Sequence, residues 1–364
     1  MFSSVFERGL VLTSKVGIIE FDGDKAKPLK QVLDLIGGID DLNTGERSVV
    51  VKVGVFSHKA GNHSSVSLVD SIINSFDKAP KIFLAESDNY QGPASERLQI
   101  WKELFTERVV PFDLSNDPDT RSVRLADQEM NLSHILFKPN VLVDTHILRS
   151  FEKGSILKNL FGCIPTSKKV KYHKILPMLL ADVYEAVGGV DLAVLDGTYF
   201  WSGAGDAPVR TNTIIMGRDA VAVETVGATL AGLNPEEMPV IQEFVKRSLG
   251  EGSLENIEIV GASFERLKEK FMSAAATQKK LLASRKGPQT WGDHAYHVFE
   301  SLIREEFFKL PNKRTMEDVA KAFEARGLPT KGKENKIANS LARKVKRGFL
   351  KKTKTSDGWV YWTE

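Results

Sequence analysis

Cysteine is nearly missing from this 364-residue chain, with Cys163 the sole example. An internal disulfide is therefore excluded, and a cysteine-ligated zinc site or a self-contained iron–sulfur cluster cannot be built within one copy. Long apolar runs are missing as well. None approaches the roughly 20 residues a membrane-spanning helix needs, so no membrane partner is expected. The opening residues, MFSSVFERGL, put Glu7 and Arg8 where a secretory signal requires an apolar stretch, and a cytoplasmic location is expected. Internal repeats and low-complexity segments are lacking too.

What is present suits a large core, since apolar residues make up 42% of the chain. The length exceeds the roughly 250–300 residues at which single cores tend to split, which predicts two domains. Charge divides the same way. The net charge of +3 conceals 17 Lys and Arg against 10 Asp and Glu over residues 286–364, leaving 33 against 37 over residues 1–285. A mildly acidic body with a basic end suggests separate roles. The expected division is an α/β core over 1–285, a linker over 286–292 and a small basic domain over 293–364.

Strand and helix patterns alternate along the core. β-branched or apolar runs at 48–57, 81–85, 108–112, 141–143, 190–195, 212–216 and 257–260 read as strands. Helical spacing appears at 66–76, 96–105, 175–187, 220–230 and 264–282. The alternation predicts an α/β fold with a largely parallel sheet and helices on both faces. The loop HKAGNHSS, with His63 as a candidate ligand contact, leads into the helix at 66, whose free backbone N–H groups suit an anion.

The stretch 144–173 concentrates polar groups between an apolar strand and a helix, where open α/β sheets bind ligands. Asp144, His146 and Lys158 are the candidate catalytic groups. Further on, GTYFWSGAGDAPVR offers Gly203 and Gly205 for close backbone approach to a ligand, with three aromatics as pocket walls. A plain glycine-rich turn explains the same spacing. A dinucleotide fingerprint is excluded because the third glycine is missing.

The ordered set VDTH at 143–146, LKNLFG at 157–162, His173, LDG at 195–197, GAG at 203–205, GRDAVAVET at 217–225 and SLGEGSLENIEIVG at 248–261 resembles domain-of-unknown-function family 362. The resemblance covers about 49–261. It implies an α/β core with a shared site and brings no activity with it; the family is often described as an iron–sulfur-centre group. Asp144 stands where relatives commonly have Lys, Glu224 where they have Asp, and Lys52-Val53-Gly54 where they have Lys-Pro-Asn. The ferredoxin-like cysteine cluster of many relatives is absent.

Two chemistries fit these residues. Asp144, His146, His173, Asp196 and Glu224 offer oxygen and nitrogen donors suited to a divalent metal such as Mg, Mn, Zn or Fe(II), though none of their spacings is a metal signature. Asp196 before a glycine is equally a turn former, and Asp219 and His173 are equally caps. Alternatively Lys158, Asn159, His146 and Lys52 suit a small anionic molecule bearing phosphate or carboxylate. Cys163 reads as an inert buried thiol. Whether the core is an enzyme, a sensor or a scaffold, and whether it forms a homo-oligomer, stays open.

The basic end predicts three helices, at 293–308, from a capping box at Thr315 and Asp318, and at 335–347, then a hairpin around Asp357-Gly358. This pattern resembles a winged helix. Arg343, Lys344, Lys346 and Arg347 fall on the third helix and Lys351, Lys352 and Lys354 beside it, a footprint expected for DNA or RNA.

Overall fold

Short Val- and Ile-rich runs supply the strands of the core, because β-branched side chains pack well on a pleated surface. The computed structural model describes residues 14–57, 61–202, 208–285, 291–356 and 358–364. The chain divides into two compact units, Met1–Leu282 and Ala283–Glu364.

The strands of the first unit are β1 (Ser14–Glu20), β2 (Val49–Val53), β3 (Ile82–Glu86), β4 (Val109–Asp113), β5 (Thr120–Leu125), β6 (Gln128–Ser133), β7 (Val141–Ser150), β8 (Leu192–Ser202), β9 (Val209–Gly217) and β10 (Ile257–Gly261). Eight form one sheet in the order β10-β1-β9-β8-β7-β2-β3-β4. Only β9 runs antiparallel to its neighbours β1 and β8. The helices are α1 (Ala26–Leu35), α2 (Val66–Ser75), α3 (Ala94–Arg97), α4 (Ile156–Asn159), α5 (Leu176–Val187), α6 (Ala220–Leu230), α7 (Pro239–Lys246) and α8 (Phe264–Arg285). No described helix is long and apolar enough to cross a membrane.

Strand alternation divides the buried side chains between two cores. Val49, Val51 and Val53 join α1 and α2 on one face, while Val50 joins α5 and α6 on the other. Each fully buried Val or Leu contributes about 1.5–3 kcal/mol of transfer free energy.

Several elements differ from the sequence reading. Strand β7 does not stop at Val143 but continues to Ser150, so Asp144 and His146 lie inside the sheet rather than in a loop beyond it. Likewise β8 runs past Asp196-Gly197 to Ser202. Phe200 is consequently buried against Phe271 instead of walling a pocket. The helix expected at 96–105 is the short α3 followed by a 3-10 stretch, Leu98–Leu104, kinked at Trp101. The β5–β6 hairpin escaped notice because its strands are mostly polar and exposed. Gly203 and Gly205 lie outside the described residues.

The second unit holds α9 (Trp291–Arg304), β11 (Arg314–Thr315), α10 (Met316–Glu324), α11 (Glu334–Lys346), β12 (Lys351–Thr355) and β13 (Gly358–Trp362). The three strands pair in the order β11-β13-β12. Phe299, Phe308, Phe323, Leu341 and Leu350 form its core. The capping box is present, with Thr315 and Asp318 exchanging side-chain and backbone hydrogen bonds at the α10 start.

Candidate functional site

Lys52 on β2 and Asp144 on β7 are register partners in adjacent parallel strands. The alternation that sends Val50 and Leu142 to one core sends these two residues to the same face. The segment after β7 folds back over that face as α4 and places Asn159 between them. Lys52 Nζ donates to Asn159 Oδ1 at 3.2 Å, and Asn159 Nδ2 donates to Asp144 Oδ1 at 2.6 Å.

Lys52 is fully buried, and its ammonium pairs with Glu86 Oε2 at 2.9 Å. Glu86 also accepts the Ser87 N–H at 2.8 Å and lies 3.9 Å from the Arg97 guanidinium. Arg97, itself fully buried, donates to the carbonyls of Val55 and Ser87. The Lys52–Glu86 pair presses so closely on Gly162 that a Cβ there would lie 2.4 Å from Lys52 Nζ. Glu86 and Arg97 were absent from the sequence reading, although a carboxylate closing the apolar strand IFLAE was a signal for the first.

Asp144 Oδ2 is buried and has no hydrogen-bond partner among the described residues. Burial pushes the Asp144 carboxyl up to about 7, against the lowering influence of Lys52 and Asn159. His146 lies two residues on, packed against Gly54, whose position would admit no Cβ. Its Nδ1 accepts the Ile147 N–H at 2.7 Å, and burial holds the ring well below its ordinary pKa, hence neutral. Cys163 is buried and its thiol is pushed up to about 12 by desolvation, which leaves it unreactive.

A second group of cations gathers around two rings. Arg149 lies 4.9 Å and Lys158 5.7 Å from the Phe151 centroid. Lys158 also lies 5.6 Å and Lys169 5.9 Å from Phe161, whose ring is 5.8 Å from that of His173. Among the described residues none of these three cations forms an ion pair with a carboxylate, and Arg149 Nε is buried without a partner. Lys169 donates to Ser87 Oγ at 2.6 Å. Desolvation first, and then the neighbouring cations, bring Lys158 down to about 7. Burial brings Lys169 down to about 8 and Arg149 to about 10. His173 falls to about 4 through desolvation and the nearby Lys153 and Lys158. Arg149 and Lys169 were not singled out from the sequence. The signal was a run of seven Lys and Arg against Glu152 alone over 149–174.

The other candidate ligands are occupied elsewhere. Asp196 accepts the backbone N–H and the hydroxyl of Ser65 at the α2 start, and both N–H and hydroxyl of Thr198. The anion at that helix start is thus the protein's own carboxylate, and Lys25 Nζ lies 2.5 Å from Ser65 Oγ. Glu224 accepts backbone N–H groups of Ser155 and Leu157, anchoring the turn that carries Lys158. Asp219 caps α6. His63 lies against Trp101, its Nδ1 3.0 Å from the Ser64 carbonyl. Among the described residues, no three His, Cys, Asp or Glu side chains gather as a metal-ligand set.

In the second unit Arg343, Lys346, Arg347, Lys351, Lys352 and Lys354 are exposed or nearly so. Lys351 pairs with Glu364, and Lys352 sits 4.2 Å over the Trp359 ring. Lys344 is buried, its ammonium over Tyr296 and Phe349.

A search of curated proteins found no match, and neither did a search of solved structures. One family model does match, over residues 49–229, a span that holds the Lys52–Asn159–Asp144 linkage and the cation cluster alike. That match supports assigning residues 49–229 to the family described as Domain of unknown function (DUF362).

Proposed function

We propose that the core binds a small anionic molecule at Arg149, Lys158 and Lys169, and that the basic C-terminal unit binds DNA or RNA. The observation that carries the first half is three partly or largely buried cations around Phe151 and Phe161 that, among the described residues, form no ion pair with a carboxylate. Desolvated cations that repel one another are costly unless an anion joins them, and a carboxylate or phosphate restores the missing charge-assisted hydrogen bonds. Titration calorimetry with inorganic phosphate and with pyruvate tests this. Binding of either that is lost in Arg149→Ala supports the reading; no binding of either by the intact protein overturns it. Asp144, whose carboxyl burial pushes up to about 7 and whose Oδ2 has no hydrogen-bond partner among the described residues, is the candidate proton carrier in this reading.

The second half rests on the exposed Arg343, Lys346 and Arg347 of α11 and on Lys352 and Lys354 of β12. Three helices followed by a hairpin resemble a winged helix, whose third helix enters a groove. Filter binding to duplex DNA should weaken as salt rises, and a triple Arg343, Lys346, Arg347→Ala variant should show a shallower slope. Unchanged binding in that variant removes α11 from the interface.

A further inference from the structure

We propose that Lys158 is a covalent catalytic amine that forms an imine with a 2-oxo acid, whose carboxylate is held by Arg149. This rests on the anion-binding reading of the same cluster and adds a reaction to it.

Three features of the cluster support it. Lys158 Nζ lies over the rings of both Phe151 and Phe161, and among the described residues no carboxylate forms an ion pair with it. Paired lysines hold their proton, whereas an unpaired amine beside other cations gives it up and becomes a nucleophile. The charged groups facing it are Arg149 on β7, Lys153 in the following turn, Lys169 on the covering 3-10 segment and, with opposite sign, Glu86. Three of these four favour the neutral amine. Lys158 is half-buried as a residue, unlike the fully buried Lys52. Finally, Arg149 shares the Phe151 ring with Lys158 and presents a planar fork that matches a carboxylate.

The step is balanced without a further reactant. The neutral amine adds to the ketone carbon, forming a C–N bond as the C=O π bond opens to a carbinolamine. The carbinolamine oxygen then leaves as water, carrying both amine protons, and the C=N bond forms. The resulting imine acidifies the adjacent carbon by drawing electrons toward nitrogen, which suits decarboxylation, aldol or isomerisation chemistry.

The experiment treats the full-length protein with pyruvate and sodium cyanoborohydride, followed by intact mass and peptide mapping. Dihydroxyacetone phosphate serves in a parallel arm, to separate a carboxylate from a phosphate as the anionic handle. The expected result is a single reduced pyruvate adduct on Lys158, lost in Lys158→Arg. That variant is treated at pyruvate concentrations that saturate it by calorimetry, so that loss of the adduct reports the missing amine rather than weaker binding. Lys138→Arg, at an exposed lysine outside the cluster, should still trap. Pyruvate binding without an adduct overturns the imine and leaves the anion site standing, as does an adduct spread over many lysines. An adduct from dihydroxyacetone phosphate alone overturns the 2-oxo acid assignment. Absence of both binding and adduct overturns the imine and the anion site together.

Discussion

Lys52 and Lys158 belong to one core, yet their surroundings differ in kind. Lys52 is fully buried and lies 2.9 Å from Glu86, with Asn159 as a second partner. Lys158 has aromatic faces and cations around it. The first arrangement compensates a desolvated charge internally and holds β2, β3 and α4 together. In the proposed reading the second is completed by a bound anion. A buried cation with a partner therefore reads here as structure, and one without a partner as a site.

The largest test of this contrast is stability. Lys52→Met strands Glu86 and should cost about 3–5 kcal/mol in urea unfolding, whereas Lys158→Met should cost under about 1 kcal/mol or stabilise the fold. Equal losses would erase the distinction. Next comes affinity. Arg149→Ala should weaken pyruvate or phosphate binding by roughly 10- to 100-fold, given about 1.5–3 kcal/mol per hydrogen bond to a charged group, while Asp196→Asn should leave it unchanged. Gly162→Ala, which intrudes on the Lys52–Glu86 pair and not on the cation cluster, should cost about 1–3 kcal/mol with anion affinity retained in the folded fraction.

The smallest effect concerns pH. The Lys158 amine titrates near 7 when folded and near 10.5 otherwise, so between those values the unfolded chain binds more protons. Its contribution to stability is present above the ordinary value and is lost as pH falls to about 7. Lys158→Met should accordingly be favoured most at and below pH 7, with its difference from wild type shrinking toward pH 10. Asp144 has the opposite sign. Its carboxyl is raised from 3.8 to about 7, so stability from this group is present below about 4 and lost as pH rises to 7. Difference curves of Lys158→Met and Asp144→Asn should slope in opposite directions on either side of neutrality.

Local patterns made much of the fold legible. The helices α5 and α6 and the β-branched β2 announced themselves because apolar spacing and chain breaks are local properties. The ends of β7 and β8 did not. Polar residues at alternate positions of VDTHIL interrupt the apolar run, yet they face a surface that α4 covers, so the strand continues with Asp144 and His146 buried. Among the site residues Lys52, Asn159, Asp144 and Lys158 were visible as chemically capable groups. Their division into two differently compensated sets was not visible, and neither were Glu86, Arg97, Arg149 and Lys169.

The sequence by itself determined the strand and helix repertoire, the basic end and the capping box at Thr315, because hydrophobic period, charge and turn chemistry act over a few residues. Only the tertiary structure decided that Asp196 occupies the start of α2, that Glu224 anchors the turn before Lys158, and that Glu86 pairs with Lys52 while, among the described residues, no carboxylate forms an ion pair with Lys158. Whether a charge is compensated depends on what lies within a few ångströms in space, and chain separations such as that of Glu86 from Lys52 hide it from any local reading.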